Sequence, residues 1–315
     1  MPKENERYKG IKPEIAQELQ TYETEYFRED KPVPFCGMLI YPATMHDFET
    51  YIACSSCFSL NKNETPQGIR MTQLEYLYSK TQDKEEGPLW SYKLQKICEI
   101  VFHISNGLKC KKCGHVIKYT DKEFTDFIGE IQKISEEIGE VPVLKCPECE
   151  EKDFIEMIKF SIDPQTKKVV LIVDGNVIDS KDYERLRQIV LFQNDSEYAD
   201  DSWVDPSIKQ DYQERMKIQR EKNDVHASVE KKMVCLSIAT NYKLSEIYDM
   251  SIRKFAMCLE AVEDLINYKI NKTAVSSGFV SLPKGQTLDH WIYKKDEDMY
   301  GRFYKSLDEA QKQAG

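Results

Sequence analysis

Two pairs of cysteines, Cys110-Lys111-Lys112-Cys113 and Cys146-Pro147-Glu148-Cys149, constrain the fold of this chain more than any other feature. A CxxC turn aims two thiolates at one point, and two such turns complete the tetrahedral sulfur shell that suits Zn²⁺. Gly114 follows the first pair and Pro147 sits inside the second, each favouring a tight turn whose backbone N–H groups point at sulfur. The pattern assigns Cys110, Cys113, Cys146 and Cys149 as ligands of one zinc ion. Closed sulfur sites hold a fold together rather than perform chemistry, so that zinc is expected to be structural. Residues 114–145 between the knuckles make a long insertion for a minimal zinc ribbon.

At 315 residues, 31% charged and 41% hydrophobic, the chain has the composition of a globular protein with a substantial core. It has no apolar run of membrane-spanning length, and its first residues, Met1-Pro2-Lys3-Glu4-Asn5-Glu6-Arg7, lack the apolar stretch of a secretory signal. A cytoplasmic location is expected. Ten cysteines fit that compartment, with Cys98, Cys235 and Cys258 on apolar helical stretches where a free thiol packs as a small hydrophobe. The formal net charge of −10 disfavours broad electrostatic binding to nucleic acid. Lys109, Lys111, Lys112 and Lys145 do gather around the knuckles, where lysines offset thiolate charge.

The pattern predicts an α+β fold, predominantly helical, with a central zinc-ribbon-like insertion and a small antiparallel β-hairpin or sheet. Five segments are expected: a polar N-terminal piece over 1–31, a mostly helical domain over 32–107, the zinc-knuckle region with hairpin and helix over 108–193, a charged linker and helix over 194–224, and a helical C-terminal domain over 225–315. Helices are predicted over 12–26, 46–52, 71–79 and 90–104, and within the insertion, where Phe124, Phe127, Ile128, Ile131 and Ile134 recur at helical spacing. Residues 35–41 read as a buried strand or extended segment ended by Pro42. Residues 155–162 and 169–173 read as strand, turn, strand, and Asp174-Gly175 as the tight turn into Val177-Ile178. Ser180 is the expected N-cap of a helix carrying Tyr183, Leu186, Ile189, Val190 and Phe192. Helices then follow over 225–240 and 244–248, and Ser251 caps a long one with Ile252, Phe255, Leu259, Val262 and Ile266 on one stripe.

Other constellations are weaker. Cys54-Ser55-Ser56-Cys57 is a third CxxC, readable as half of a second metal site, as a redox dithiol, as alternative partners of Cys110 and Cys113, or as two packed thiols; the last is preferred. Cys36, His46, Cys98 and His103 are the available partners for a second metal, and none has knuckle flanks. His115 adjoins the first knuckle, but four cysteines already satisfy zinc. The acidic group Asp195, Glu197, Asp200, Asp201 and Asp205 lacks the glycine and terminal glutamate of a calcium loop and reads as a solvated linker. No phosphate-cradling glycine loop, nucleophile elbow or His-Glu-x-x-His helix is present, so no catalytic or cofactor-binding residue is assigned. Residues 241–261 have the outline of a helix-turn-helix. Only Arg253 and Lys254 would face DNA, with Glu260, Glu263 and Asp264 following, so packing of a helical pair is the preferred reading.

A set of phrases carries a family resemblance: Pro34-Phe35-Cys36-Gly37-Met38-Leu39-Ile40-Tyr41-Pro42, Met45-His46-Asp47-Phe48, Leu60-Asn61-Lys62-Asn63, Met71-Thr72-Gln73-Leu74-Glu75-Tyr76-Leu77, the run from Asp182 to Asn194, Trp203-Val204-Asp205-Pro206, the run from Ser245 to Phe255, Ser277-Gly278-Phe279-Val280 and His290-Trp291. Together they resemble proteins from the tail-gene region of bacteriophages of Gram-positive hosts, which are similar to tail-assembly chaperones or baseplate hub-assembly factors. The two knuckles depart from that pattern as a lineage-specific insertion. The resemblance implies a non-enzymatic protein of the host cytoplasm or the virion, with other tail or baseplate proteins as partners, and it carries over no functional residue. A partner helix is expected to find a groove near Met250, Phe255, Met257 and Leu259, residues that core packing explains equally well. The alternative is a zinc-ribbon nucleic-acid-binding protein. The oligomeric state is not readable.

Overall fold

The computed structural model describes residues 7–134, 143–200 and 227–277, with Ser207, Gln210, Asp211, Glu214 and Ile218, and at 64, 130 and 132–134 the backbone alone. Most of the charged helix expected beyond Pro206, the Trp203 to Pro206 phrase, Asp201, Asp205, Val225 and everything from Gly278 on, His290 and Trp291 included, lie outside the described residues.

Pro13, at the first helical position where its missing N–H costs nothing, starts helix α1 (Pro13–Glu25). Its Ile15 and Leu19, with Phe27 just beyond, are buried. Residues 35–41 form a hairpin rather than the single strand or extended segment expected: β1 (Val33–Phe35) pairs with β2 (Met38–Ile40). Cys36 and Gly37 both take positive φ, 45° and 77°, which makes the two-residue turn whose twist matches the flanking strands. Helices α2 (Phe48–Cys54), α3 (Ser56–Ser59), α4 (Gln73–Thr81) and α5 (Gly87–Phe102) follow. A complete capping box between Thr72 and Glu75 opens α4.

Strands β3 (Gly107–Cys110) and β4 (Val116–Lys118) carry the first knuckle, and α6 (Lys122–Ile134) lies in the insertion. Gly107 is required by close approach, since a Cβ there would sit 2.2 Å from the Ile117 carbonyl oxygen. The apolar run 155–162 is two strands in two sheets. β5 (Phe154–Glu156) pairs with β3, whereas β6 (Ile158–Ile162) pairs with β7 (Val169–Val173), which pairs in turn with β8 (Asn176–Ile178). All pairings are antiparallel, and Asp174-Gly175 makes the expected turn. The fold is therefore α+β and predominantly helical, with small antiparallel sheets and a four-cysteine cluster in the middle of the chain.

Helix α7 (Ser180–Asn194) is capped by Asp179, one residue before the Ser180 expected, and the Asp179 side chain accepts from the Lys181 and Asp182 N–H groups. Every residue from Leu186 to Asn194 is buried, including the polar ones. That helix is where the chain's distant segments meet. Arg187 Nε donates to the Phe58 carbonyl, Asn194 Oδ1 accepts from the Ala43 N–H, and the Gln193 amide donates to the Lys31 and Ile40 carbonyls. Asp200 is also buried, accepting from Gln188 Nε2 at 2.6 Å and pairing with Arg187 at 3.3 Å. The reading of Asp200 as part of a solvated linker is thus corrected: a buried guanidinium demands an opposite charge beside it.

Helices α8 (Val229–Thr240), α9 (Leu244–Tyr248) and α10 (Ile252–Ser276) complete the described chain. Ser251 caps α10 as expected, accepting from the Lys254 N–H, and donates its hydroxyl proton to Asp30 at 2.6 Å. The helix-turn-helix outline is a packed corner. Ile252, Arg253 and Phe255 are buried, Met45 N–H donates to the Met250 carbonyl, and Arg253 donates to the Phe192 carbonyl and the Glu23 carboxylate. Replacing Arg253 with alanine strips the Phe192 carbonyl of its charged donor and leaves the Glu23 carboxylate with Arg7 alone. The expected cost is about 3 kcal/mol in denaturant unfolding. Wild-type stability in the variant would refute this stapling role.

Candidate metal centre

The two knuckles are built alike. Cys110 N–H donates to the His115 carbonyl and Cys146 N–H to that of Glu151, while Gly114 N–H returns to the Cys110 carbonyl and Glu150 N–H to that of Cys146. Each turn closes with a residue at positive φ: 77° at Gly114 and 57° at Glu150. Glycine adopts that conformation freely and glutamate under strain, so the second knuckle has no sequence signal equivalent to Gly114. Pro147 does not occupy the position that needs a special backbone angle.

The knuckles converge. The four sulfur atoms of Cys110, Cys113, Cys146 and Cys149 lie within 4.8 Å of one another. Cys110 is 3.6 Å from Cys149, and Cys113 is 3.5 Å from Cys146 and 3.4 Å from Cys149. The sulfur–sulfur edge of a tetrahedral zinc–thiolate site is about 3.8 Å, so one ion with bonds of about 2.3 Å reaches all four. The donor set fits a soft, closed site, and nothing in it leaves an open coordination position for substrate. Cys110 and Cys146 are buried, Cys149 is half-buried and Cys113 is exposed, so the cluster sits at an edge of the fold. The backbone N–H groups of Cys113 and Lys112 pull the Cys110 thiol down to about 7, whereas burial and the neighbouring sulfurs push Cys113 up and Cys149 to about 12, so the four thiols hold their protons as one set.

Backbone bonds at Met157, an ion pair at Lys109 and the packing of Val116 against the main core join the centre to the rest of the described chain. Met157, between β5 and β6, donates its N–H to the Gly107 carbonyl and accepts the Asp174 N–H. Lys109, beside Cys110, meets Asp174 at 2.5 Å. That ion pair, and a longer one between Lys111 and Asp153 at 3.8 Å, occupy two of the four lysines around the knuckles. Lys112 and Lys145 are exposed.

The third CxxC takes no part. Cys54 and Cys57 are buried in the main core near Cys98, outside the sulfur cluster. Burial pushes the Cys57 thiol up to about 12, helped by Cys54, and raises Cys54 and Cys98 as well. A redox dithiol needs the opposite shift and an accessible sulfur, so these are packing residues. The sequence reading missed the buried polar set on α7 and the role of Asp200. Nothing in local spacing separates such residues from a solvated helix face.

Among the described residues, no helix is long and apolar enough to cross a membrane. Residues 219–296 match a family described as the YomV second domain, a phage-associated family, and helices α8 to α10 fall inside that span. No curated protein and no solved structure matches the chain.

Purified protein is expected to carry one tightly held metal ion per chain, measurable by elemental analysis, since one shell of four thiolates holds one ion. The Cys110→Ser/Cys113→Ser double variant should lose that ion and gain protease sensitivity over 105–165. Stoichiometric metal retained in the variant would overturn the ligand assignment.

Proposed function

We propose that the protein is a non-enzymatic assembly factor or structural component of a phage tail or baseplate, stabilised by a zinc ion on Cys110, Cys113, Cys146 and Cys149. It acts in the host cytoplasm and on the growing particle, with other tail or baseplate proteins as partners. The observation that carries this reading is the combination of a closed four-sulfur cluster with a C-terminal region matching a phage-associated family. A closed sulfur shell supports a scaffolding ion rather than a reacting one.

Two further observations favour this reading. The open cleft lined by Cys36, Met38, Tyr41, Phe102, Asp174 and Asn176 offers one carboxylate, which Lys109 pairs, and one thiol, Cys36, which burial holds toward its protonated form. General acid–base chemistry calls for titratable groups free to exchange protons, which that pairing opposes. The nucleic-acid alternative relies on Arg253 and the knuckle lysines. Arg253 is buried against Glu23, and Lys109, Lys111 and Lys254 have carboxylate partners, which leaves Lys112 and Lys145 as a small exposed positive charge on a chain of net charge −10.

Deleting the gene from its phage should yield particles arrested in tail formation, scored by negative-stain electron microscopy. Complementation should succeed with the wild-type chain and fail with the Cys110→Ser/Cys113→Ser variant. Normal infectious tails in the deletion would overturn the assembly role, and full rescue by the variant would overturn the need for the metal.

A further inference from the structure

The sulfur cluster has an inner and an outer side. In each knuckle the first cysteine is sealed and the second faces water: Cys110 and Cys146 are each 1% exposed, whereas Cys113 is exposed and Cys149 half-buried. Backbone bonds hold that split in place. Cys110 ends β3, where it pairs with Phe154, and its N–H is tied to the His115 carbonyl, as the Cys146 N–H is to that of Glu151. The two outer sulfurs come from different knuckles, yet Cys113 and Cys149 lie 3.4 Å apart, against 3.6 Å for Cys110 and Cys149 and 3.5 Å for Cys113 and Cys146. A disulfide closes two sulfurs to about 2.05 Å, so a small movement brings this pair to bonding distance. A thiolate held by zinc stays deprotonated, and a deprotonated sulfur open to water is the form that oxidants attack.

We propose that Cys113 and Cys149 are an oxidation site, at which a hydroperoxide forms a disulfide across the knuckles and the zinc ion is released. This chemistry rests on the zinc reading above. The Cys113 thiolate attacks the peroxide and the O–O bond breaks; one oxygen stays on sulfur as a sulfenic acid and the other departs as hydroxide. The Cys149 thiolate then attacks the Cys113 sulfur, the S–S bond forms and a second hydroxide leaves. Each sulfur loses one electron and the peroxide gains both. The ion, left with Cys110 and Cys146, is released, and those two thiolates take up protons. Pairing across the knuckles keeps the segment over 114–148 closed, so a covalent staple replaces the ionic one and the local fold survives loss of the metal. A Cys110–Cys113 or Cys146–Cys149 bond would leave the two turns unconnected.

The full chain, its metal content measured first, is exposed to hydrogen peroxide. Released zinc is followed with a chromogenic chelator, and disulfides are mapped by mass spectrometry after free thiols are blocked. About one zinc ion per chain should appear in step with a peptide pair joining Cys113 to Cys149, and dithiothreitol with added zinc should reverse both. Limited proteolysis then tests the staple. Oxidised protein should be cut over 105–118 and 150–165 at a rate within about twofold of the zinc-loaded form, whereas reduced protein stripped by a chelator should be cut at least about tenfold faster. A first disulfide within either knuckle, zinc release without a disulfide, or rapid cleavage of the oxidised protein overturns the proposal. So does zinc retained after the peroxide has oxidised the exposed Cys235 of the same chain. Protein purified without metal would overturn the zinc reading itself and this chemistry with it, so the two failures are told apart before peroxide is added.

Discussion

The fold depends on a helix whose last nine residues, Leu186 to Asn194, are all buried yet include charge and amide groups. Sinking Arg187, Gln193 and Asn194 of α7 into the interior is tolerable because they bond backbone groups of distant segments, and Gln188 because its amide donates to the buried Asp200 carboxylate. Each of these side chains replaces a hydrogen bond that a neighbouring segment would otherwise make to water. In return, the loops at Lys31, Ile40, Ala43 and Phe58 are held at defined heights along one rod. Tyr183 extends the pattern, donating to the Cys57 carbonyl at 3.0 Å while its ring packs near Phe58. Apolar contact alone would bury the helix without choosing which loop lies where.

The N-terminal residues are drawn into the same arrangement. Arg7 lies 4.6 Å over the Phe192 ring and donates to the Asp195 and Tyr198 carbonyls, and Tyr8 stacks on that ring at 5.3 Å. Glu23 of α1 accepts from both Arg7 and Arg253, so one carboxylate links Arg7, α1 and α10. Such shared acceptors act as a unit, and their energies are not separable pair by pair.

The metal cluster solves a different problem. Short strands such as β3, β4 and β5 bury little apolar surface, and the long segment between the knuckles makes their closure entropically expensive. A shared ion would fix both knuckles at once, coupling metal affinity to folding. Met157 and the Lys109–Asp174 pair then transmit that local order to the β6–β7–β8 sheet and the main core. The knuckle region would thus be stapled internally by the ion, and it is held externally by Met157, the Lys109–Asp174 pair and the packing of Val116 on the core.

Much of this was legible in the chain itself. The CxxC spacing picked out four sulfurs that do converge, because a tight turn fixes thiolate direction locally. Helical periodicity placed α1, α4, α5, α6 and α10 to within a few residues, since an amphipathic stripe is written in nearest-neighbour spacing. Tertiary structure alone decided the rest. It split 155–162 between two sheets at Met157 and buried Arg187, Arg253 and Asp200. Each of those outcomes depends on a partner more than ten residues away, and spacing along a chain records no such distance. It also left the stripe of α6 outside the core, although in sequence that stripe is indistinguishable from the ones the core absorbs.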